Sequence, residues 1–299
     1  MDASSRTSAF DELGYLTGID LLSPDEVARH RSLLDALPRL RGSLPLPLRH
    51  KLHLLYPWAD ALIRHPRILE VIRPLLGEDI LCWTLNVFEK PPGSPGFVAW
   101  HQDATYWGLE PHDFLTVWVA LTDSDPDSGG VQVVPGSHRE GLAAHRERWA
   151  VGNMLLRGQE LDRTPDASQT QPLVLTAGQM SVHHGRLVHG SPANACARAR
   201  VGLAIRYLPT HVRPVHGSDG AVLVSGEDRH GHFVEEPCPQ VAAGLRERAA
   251  HARSLQRQAR NTHVGEAGLG KACRRSLRQL ALGAYAACLE ASSRWAPGA

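Results

Sequence analysis

The feature that most constrains this chain is a series of short apolar runs cut by Gly/Pro breakers between residues 80 and 224. The runs cover 80–88, 114–121, 131–134, 173–175, 180–184, 201–207 and 221–224. Each is short for a helix and rich in β-branched or aromatic residues. Lys90-Pro91-Pro92-Gly93-Ser94-Pro95-Gly96, Pro135-Gly136-Ser137 and Gly190-Ser191-Pro192-Ala193-Asn194 separate them. Short strands at this spacing predict a sandwich or barrel. The flanks read differently. Ser23-Pro24-Asp25-Glu26 is a capping box that opens a helix, and a second helix starts at Pro66 and stops at Gly77, with Pro74 kinking its last turn. Residues 241–260 and 271–293 read as further helices. The expectation is one mainly β domain over 1–299: a helical N-terminal layer at 1–79, a β core at 80–224 and a helical C-terminal segment at 225–299.

Composition narrows the class. The formal net charge of +1 leaves no electrostatic footprint for nucleic acid or an anionic membrane. No apolar run approaches the roughly 20 residues that cross a bilayer, and the first residues are polar, unlike a secretory leader. Five scattered cysteines without C-x-x-C spacing fit a reduced, cytoplasmic protein. A monomer or homodimer is expected.

The chemistry centres on Trp100-His101-Gln102-Asp103-Ala104-Thr105-Tyr106-Trp107. In extended backbone, residues i and i+2 point the same way, so His101 and Asp103 can offer a nitrogen and an oxygen to one metal ion. One more histidine would complete a 2-His-1-carboxylate face, which suits Fe(II) and oxygen chemistry. With 17 histidines in the chain, the pair alone is weak. The third ligand is sought in Met180-Ser181-Val182-His183-His184-Gly185-Arg186-Leu187-Val188-His189-Gly190-Ser191. His183 and His184 face opposite ways on a strand, so at most one points inward, while His189 ends a strand before a turn. Arg200 follows, suited to hold a carboxylate bidentately, with Arg198 as a competitor. A metal triad with such a clamp is what a 2-oxo acid needs.

The runs W-H-Q-D-A-T-Y-W-G-L, V-W-V-A-L-T-D, G-G-V-Q-V-V-P-G-S-H, H-H-G-R-L-V-H-G-S-P-A-N and R-V-G-L-A-I-R-Y, taken in order over about residues 80–207, resemble the phytanoyl-CoA dioxygenase family. That resemblance implies a double-stranded β-helix (jelly roll) and an oxygenase that uses Fe(II), 2-oxoglutarate and O2, with ascorbate as a stimulant. It implies His101, Asp103 and His189 as iron ligands. It places Arg200 on the distal carboxylate of 2-oxoglutarate, Ser191 beside it, and Trp118, Thr84 and Asn86 as further co-substrate contacts. Trp107 and Arg206 are candidate substrate contacts.

A halogenating branch of the family replaces the carboxylate with a small residue to admit chloride. This chain keeps Asp103, so hydroxylation or a related two-electron oxidation is expected over halogenation, desaturation, cyclisation or a cupin-type isomerase or binding role. The segments T-H-V-R-P and A-V-L-V-S-G nonetheless resemble sequences of that branch. The expected substrate is a small molecule of specialised metabolism, such as an amine, an amino acid or a carrier-bound intermediate. Substrate selection is expected from the N-terminal helices and residues 106–113, 152–168 and 210–232.

Overall fold

The computed structural model describes residues 3–148, 150–155 and 158–262. The helix expected over 271–293 lies outside them. The N-terminal part holds α1 (Ala3–Leu13), β1 (Tyr15–Asp20), α2 (Pro24–Asp35), α3 (Pro57–Ile63) and α4 (Pro66–Leu76). The capping box of α2 is formed. Ser23 Oγ accepts from the Glu26 amide at 3.3 Å, and the Glu26 carboxylate accepts from the Ser23 amide at 2.8 Å. Gly77 ends α4 at φ 88°, a conformation that favours glycine.

The longer strands follow the apolar runs, while short ones such as His145–Glu147 and Gln159–Leu161 arise outside them, and residues 173–175 lie just beyond a strand at Gln171–Pro172. In chain order the strands after α4 are β2 (Ile80–Lys90), β3 (Val98–His101), β4 (Leu109–Glu110), β5 (Leu115–Ala120), β6 (Gln132–Val133), β7 (His145–Glu147) and β8 (Gln159–Leu161). After them come β9 (Gln171–Pro172), β10 (Gln179–His184), β11 (His189–Ser191), β12 (Arg200–Pro209), β13 (Arg213–Pro214), β14 (Gly220–Ser225) and β15 (Val234–Glu235). The chain then enters α5 (Leu245–Thr262). A seven-stranded sheet runs β1-β10-β5-β12-β2-β14-β15, and a four-stranded sheet runs β3-β11-β6-β9. Together they are the two walls of a jelly roll. The N-terminal layer departs from the all-helical expectation. β1 leaves it to pair antiparallel with β10 at the edge of the larger sheet, with an irregularity between Leu16 and Ile19.

Two-residue periodicity divides the larger sheet. Leu85, Val87, Val117, Val119, Met180, Val182, Leu203, Ile205 and Tyr207 join the helices in one buried core. The alternate positions, Phe88, Thr116, Trp118, His183, Arg200, Ala204 and Arg206, face a cavity that the smaller sheet closes. All ten residues of β12 are therefore buried, because each face of the strand is covered. Gly202 interrupts the inner row because Trp118 occupies its place: a Cβ there would lie 2.2 Å from Trp118 Cζ2.

A buried ion pair ties the ends of the chain together. Lys51 Nζ meets Glu236 Oε2 at 3.1 Å and donates to the Gly220 carbonyl at 2.8 Å, and Ser254 of α5 donates to the same carboxylate. Glu236→Ala leaves that ammonium buried and without its carboxylate, and should destabilise the fold by about 3–5 kcal/mol in urea denaturation. Burial also holds the His53 and His251 imidazoles below their ordinary range, His251 at about 4, and does the same to His183, also at about 4. Unfolded histidines take up protons near pH 6.5. The unfolded state thus binds more protons between pH 6.5 and 4, so stability is full above that window and is lost as pH falls through it. The urea midpoint of the metal-free protein should fall steadily from pH 7 to pH 5; a flat profile would contradict this.

Candidate metal and co-substrate site

His101 ends β3 and His189 opens β11, and the antiparallel register sets them directly opposite one another. Cross-strand neighbours of this kind have Cβ atoms about 5 Å apart, and the two rings lie 4.2 Å apart between centroids. Asp103 does not continue the strand. The chain turns at Gln102 into a single 3-10 turn beginning at Asp103, which carries the carboxylate back toward both imidazoles. His101 Nε2 is 3.3 Å from Asp103 Oδ1, and His189 Nε2 is 4.0 Å from Asp103 Oδ2. One ligand atom from each of these three buried residues lies within 4.8 Å of the others.

The imidazoles are oriented for a metal. His101 Nδ1 lies 2.8 Å from the Ala99 carbonyl, and His189 Nδ1 lies 2.9 Å from the Leu187 carbonyl. A carbonyl only accepts, so the proton sits on each Nδ1 and each Nε2 keeps its lone pair toward the centre. Burial, first of all, holds the His189 imidazole well below its ordinary range and therefore neutral. For Asp103 burial works the other way, but its polar surroundings, His101 3.3 Å away first of all and the Arg206 guanidinium beyond, outweigh burial, so its carboxyl lies well below the usual range. Thr116 Oγ1 donates to Asp103 Oδ2 at 3.2 Å. Two neutral nitrogens and an ionised oxygen on one face are the donor set of a non-haem Fe(II) centre with open positions.

At the other end of the cavity Arg200 is 1% exposed. Its Nη2 donates to the Gly129 carbonyl at 2.8 Å and to Ser191 Oγ at 3.0 Å, while Nε and Nη1 are buried without a partner. Trp118 lies under the guanidinium at 4.8 Å. Two orphaned donors on a buried cation fit a carboxylate brought by a co-substrate. Ser191 donates its own proton to Gly129 O at 2.7 Å, so it orients Arg200 as an acceptor. Arg198 is exposed and pairs with Asp125, which leaves Arg200 as the arginine inside.

The remaining candidates are distributed unequally. Trp118 and Arg206 line the cavity. Thr84 and Asn86 lie on the inward face of β2 but bond to each other at 2.7 Å, outside the cavity lining. With its amide turned to satisfy its neighbours, Asn86 accepts from Arg206 Nη1 at 3.2 Å. Trp107 packs on Trp83 and stacks on Phe114, one layer away. From the 152–168 segment, Leu155 reaches the cavity, and no residue of 210–232 lines it.

One residue weighed in the sequence as a ligand, His183, and two that went unread, Gln102 and Lys90, also belong to the site. His183 faces inward, its Nε2 4.0 Å from Asp103 Oδ2, with both ring nitrogens unpartnered. Strand parity carries the signal, since Val182 joins the helix-side core. Gln102 pins two loops: its amide donates to the Gly141 and Arg186 carbonyls and accepts from the Ala143 amide. Lys90 is buried beside Ser191 among the Gly129, Ser191 and Pro192 carbonyls, and burial followed by the charge of Arg200 pushes its ammonium down to about 6.

The fold and site together define a jelly-roll protein with a facial-triad metal centre. The chain matches the phytanoyl-CoA dioxygenase (PhyH) family over residues 10–202, and it belongs to that family. It is 31% identical to a probable alpha-ketoglutarate-dependent hypophosphite dioxygenase of Stutzerimonas stutzeri, over 58% of this chain and 63% of that protein. It spans 53–63% of the length of the first curated relatives it matches. Among solved structures it resembles the non-haem monooxygenase ThoJ in its apo form, at 30% identity and TM-score 0.72, covering 86% of this chain and 97% of that one. The structure of CytC3 with Fe(II) and alpha-ketoglutarate shares the fold, at 23% identity and TM-score 0.60 over 81% and 96% of the two chains.

Groups that hydrogen-bond a metal ligand typically set affinity by 10–100-fold. Thr116→Val should therefore weaken Fe(II) binding by about 10-fold or more in an anaerobic competition titration, and Thr116→Ser should restore it. Equal affinity in Thr116→Val would remove Thr116 from the site.

Proposed function

We propose that this chain is an Fe(II)- and 2-oxoglutarate-dependent oxygenase that hydroxylates an unactivated C–H bond of a small molecule. The observation that carries the reading is the triad of His101, Asp103 and His189 with both Nε2 lone pairs aimed inward. In this reading His101, Asp103 and His189 hold the metal on one face. Arg200, braced by Ser191 and Trp118, would hold the far carboxylate of the co-substrate. Iron(II) with 2-oxoglutarate and O2 supplies the oxidant when bound. The protein's part is geometry and exclusion of water: Phe88, Val98, Val131 and Leu155 line the cavity with apolar surface.

Asp103 favours hydroxylation over halogenation, because on a bound metal its carboxylate would take the position a halide would need. The proximity of the segment after β12 to the halogenating branch in sequence bears on the substrate more than on the reaction. A small molecule of specialised metabolism, acted on in the reducing cytoplasm, completes the reading. No helix among the described residues is long and apolar enough to cross a membrane.

Formation of succinate from 2-oxoglutarate should require both Fe(II) and O2 and should vanish in His189→Ala. With a substrate found, the product should gain one oxygen drawn from O2. Oxygen-independent turnover would refute the oxygenase reading, and a chlorine isotope pattern in the product would refute the weight placed on Asp103.

A further inference from the structure

The inner row of β12 carries two arginines, Arg200 and Arg206, and the functional reading above employs one. Arg206 is 8% exposed and lines the cavity. Its Nε is buried without a partner. Nη1 is spent on neutral oxygens, the Ala204 carbonyl at 3.2 Å and the Asn86 amide. No carboxylate lies within ion-pairing distance of it among the described residues, Asp103 being drawn to the imidazoles instead. The side chain is also held in place. Its guanidinium carbon sits over Trp107 at 5.5 Å and over Phe88 at 5.8 Å, so the fork is fixed before any ligand arrives. Asp103 acts on it only across space, and a buried guanidinium with an unfilled donor and no carboxylate in contact is costly unless something brings one.

The co-substrate's far carboxylate cannot serve both arginines. Six residues of strand separate their Cα atoms by roughly 20 Å, and the two guanidiniums keep different company, Arg200 at Gly129 and Ser191 and Arg206 at Phe88 and Trp107. Charge bookkeeping points the same way. Asp103 brings one negative charge to the cavity, and Arg200 and Arg206 bring one positive charge each. Iron(II) and dianionic 2-oxoglutarate cancel one another. One positive charge is left over, and it resides at Arg206, beside the metal ligands.

We propose that Arg206 is the specificity-determining residue for a substrate that carries a single negative charge, a carboxylate or a comparable oxyanion, close to the C–H bond attacked. This rests on the oxygenase reading and, of the amines, amino acids and carrier-bound intermediates expected from the sequence, favours small molecules that carry an acid group.

The test uses the full chain loaded anaerobically with Fe(II) and 2-oxoglutarate, whose affinity is measured first by calorimetry. Butanoate, butanamide and butylammonium, similar in size and differing in charge, are then titrated into the loaded protein. Butanoate should bind at least 10-fold more tightly than butanamide, and butylammonium should bind weakest. Arg206→Gln should bring butanoate to the level of butanamide while changing the dissociation constant of 2-oxoglutarate less than twofold, and Arg206→Lys should retain part of the preference. No preference for butanoate in the unaltered protein, including no binding of any of the three, overturns the proposal without recourse to a variant. A 10-fold loss of 2-oxoglutarate affinity in Arg206→Gln also overturns it, by assigning Arg206 to the co-substrate. Failure of 2-oxoglutarate to bind at the first step is the separate result that counts against the oxygenase reading.

Discussion

Two hydrogen bonds from imidazole to backbone carry this site. The His101 Nδ1 proton is taken by Ala99 O and the His189 Nδ1 proton by Leu187 O, each acceptor two residues upstream of its histidine. Among the described residues these two bonds fix which nitrogen of each ring is free, and a metal needs the free one. The register that sets His101 against His189 across β3 and β11 supplies position, and the carbonyls supply orientation. Asp103 then needs only the turn at Gln102 to arrive between them. The jelly roll is thus a means of bringing two strand ends and one turn to a point, and the buried core between the helices and the larger sheet keeps the strands in place.

The cavity is asymmetric in charge, and that asymmetry orders its ligands. Arg200 sits at the end braced by Ser191, with Lys90 buried close behind it. Arg206 sits near the triad, between Phe88 and Trp107. Both guanidiniums have donors that the protein leaves unfilled. In a low-dielectric interior such donors act as receptors for anions, because an anion recovers what burial took away. The apolar lining excludes water from the same space, which strengthens each of these interactions.

Much of this was legible in the chain. Apolar runs between Gly/Pro breakers marked the strands from Ile80 onward, because a buried strand needs continuous apolar residues and its turns need special backbone. Asp103 and His101 were legible as a pair, although the structure joins them by a turn and not by strand alternation. β1 was not legible: Tyr15–Asp20 contains a glycine and few apolar residues, and only its pairing with β10 makes it a strand. Lys90 read as the first residue of a proline-rich loop, and its burial comes from the Ser191-Pro192 turn folding over it. His183 was hidden beside His184, since adjacent histidines carry no mark of which faces inward until the neighbouring Val182 is placed in the core. Arg198 and Arg200 share a strand face on spacing alone; Asp125 at the surface separates them.

The central claim is that iron and 2-oxoglutarate are held together by the triad at one end and Arg200 at the other. Anaerobic addition of 2-oxoglutarate to the Fe(II) protein, followed in the visible, addresses it directly. The account predicts a weak metal-to-ligand charge-transfer band that saturates with 2-oxoglutarate, is absent in His189→Ala, and in Arg200→Gln appears only at much higher 2-oxoglutarate concentration. A protein that binds Fe(II) and 2-oxoglutarate without producing the band, or an Arg200→Gln titration that overlays the unaltered one, would contradict it.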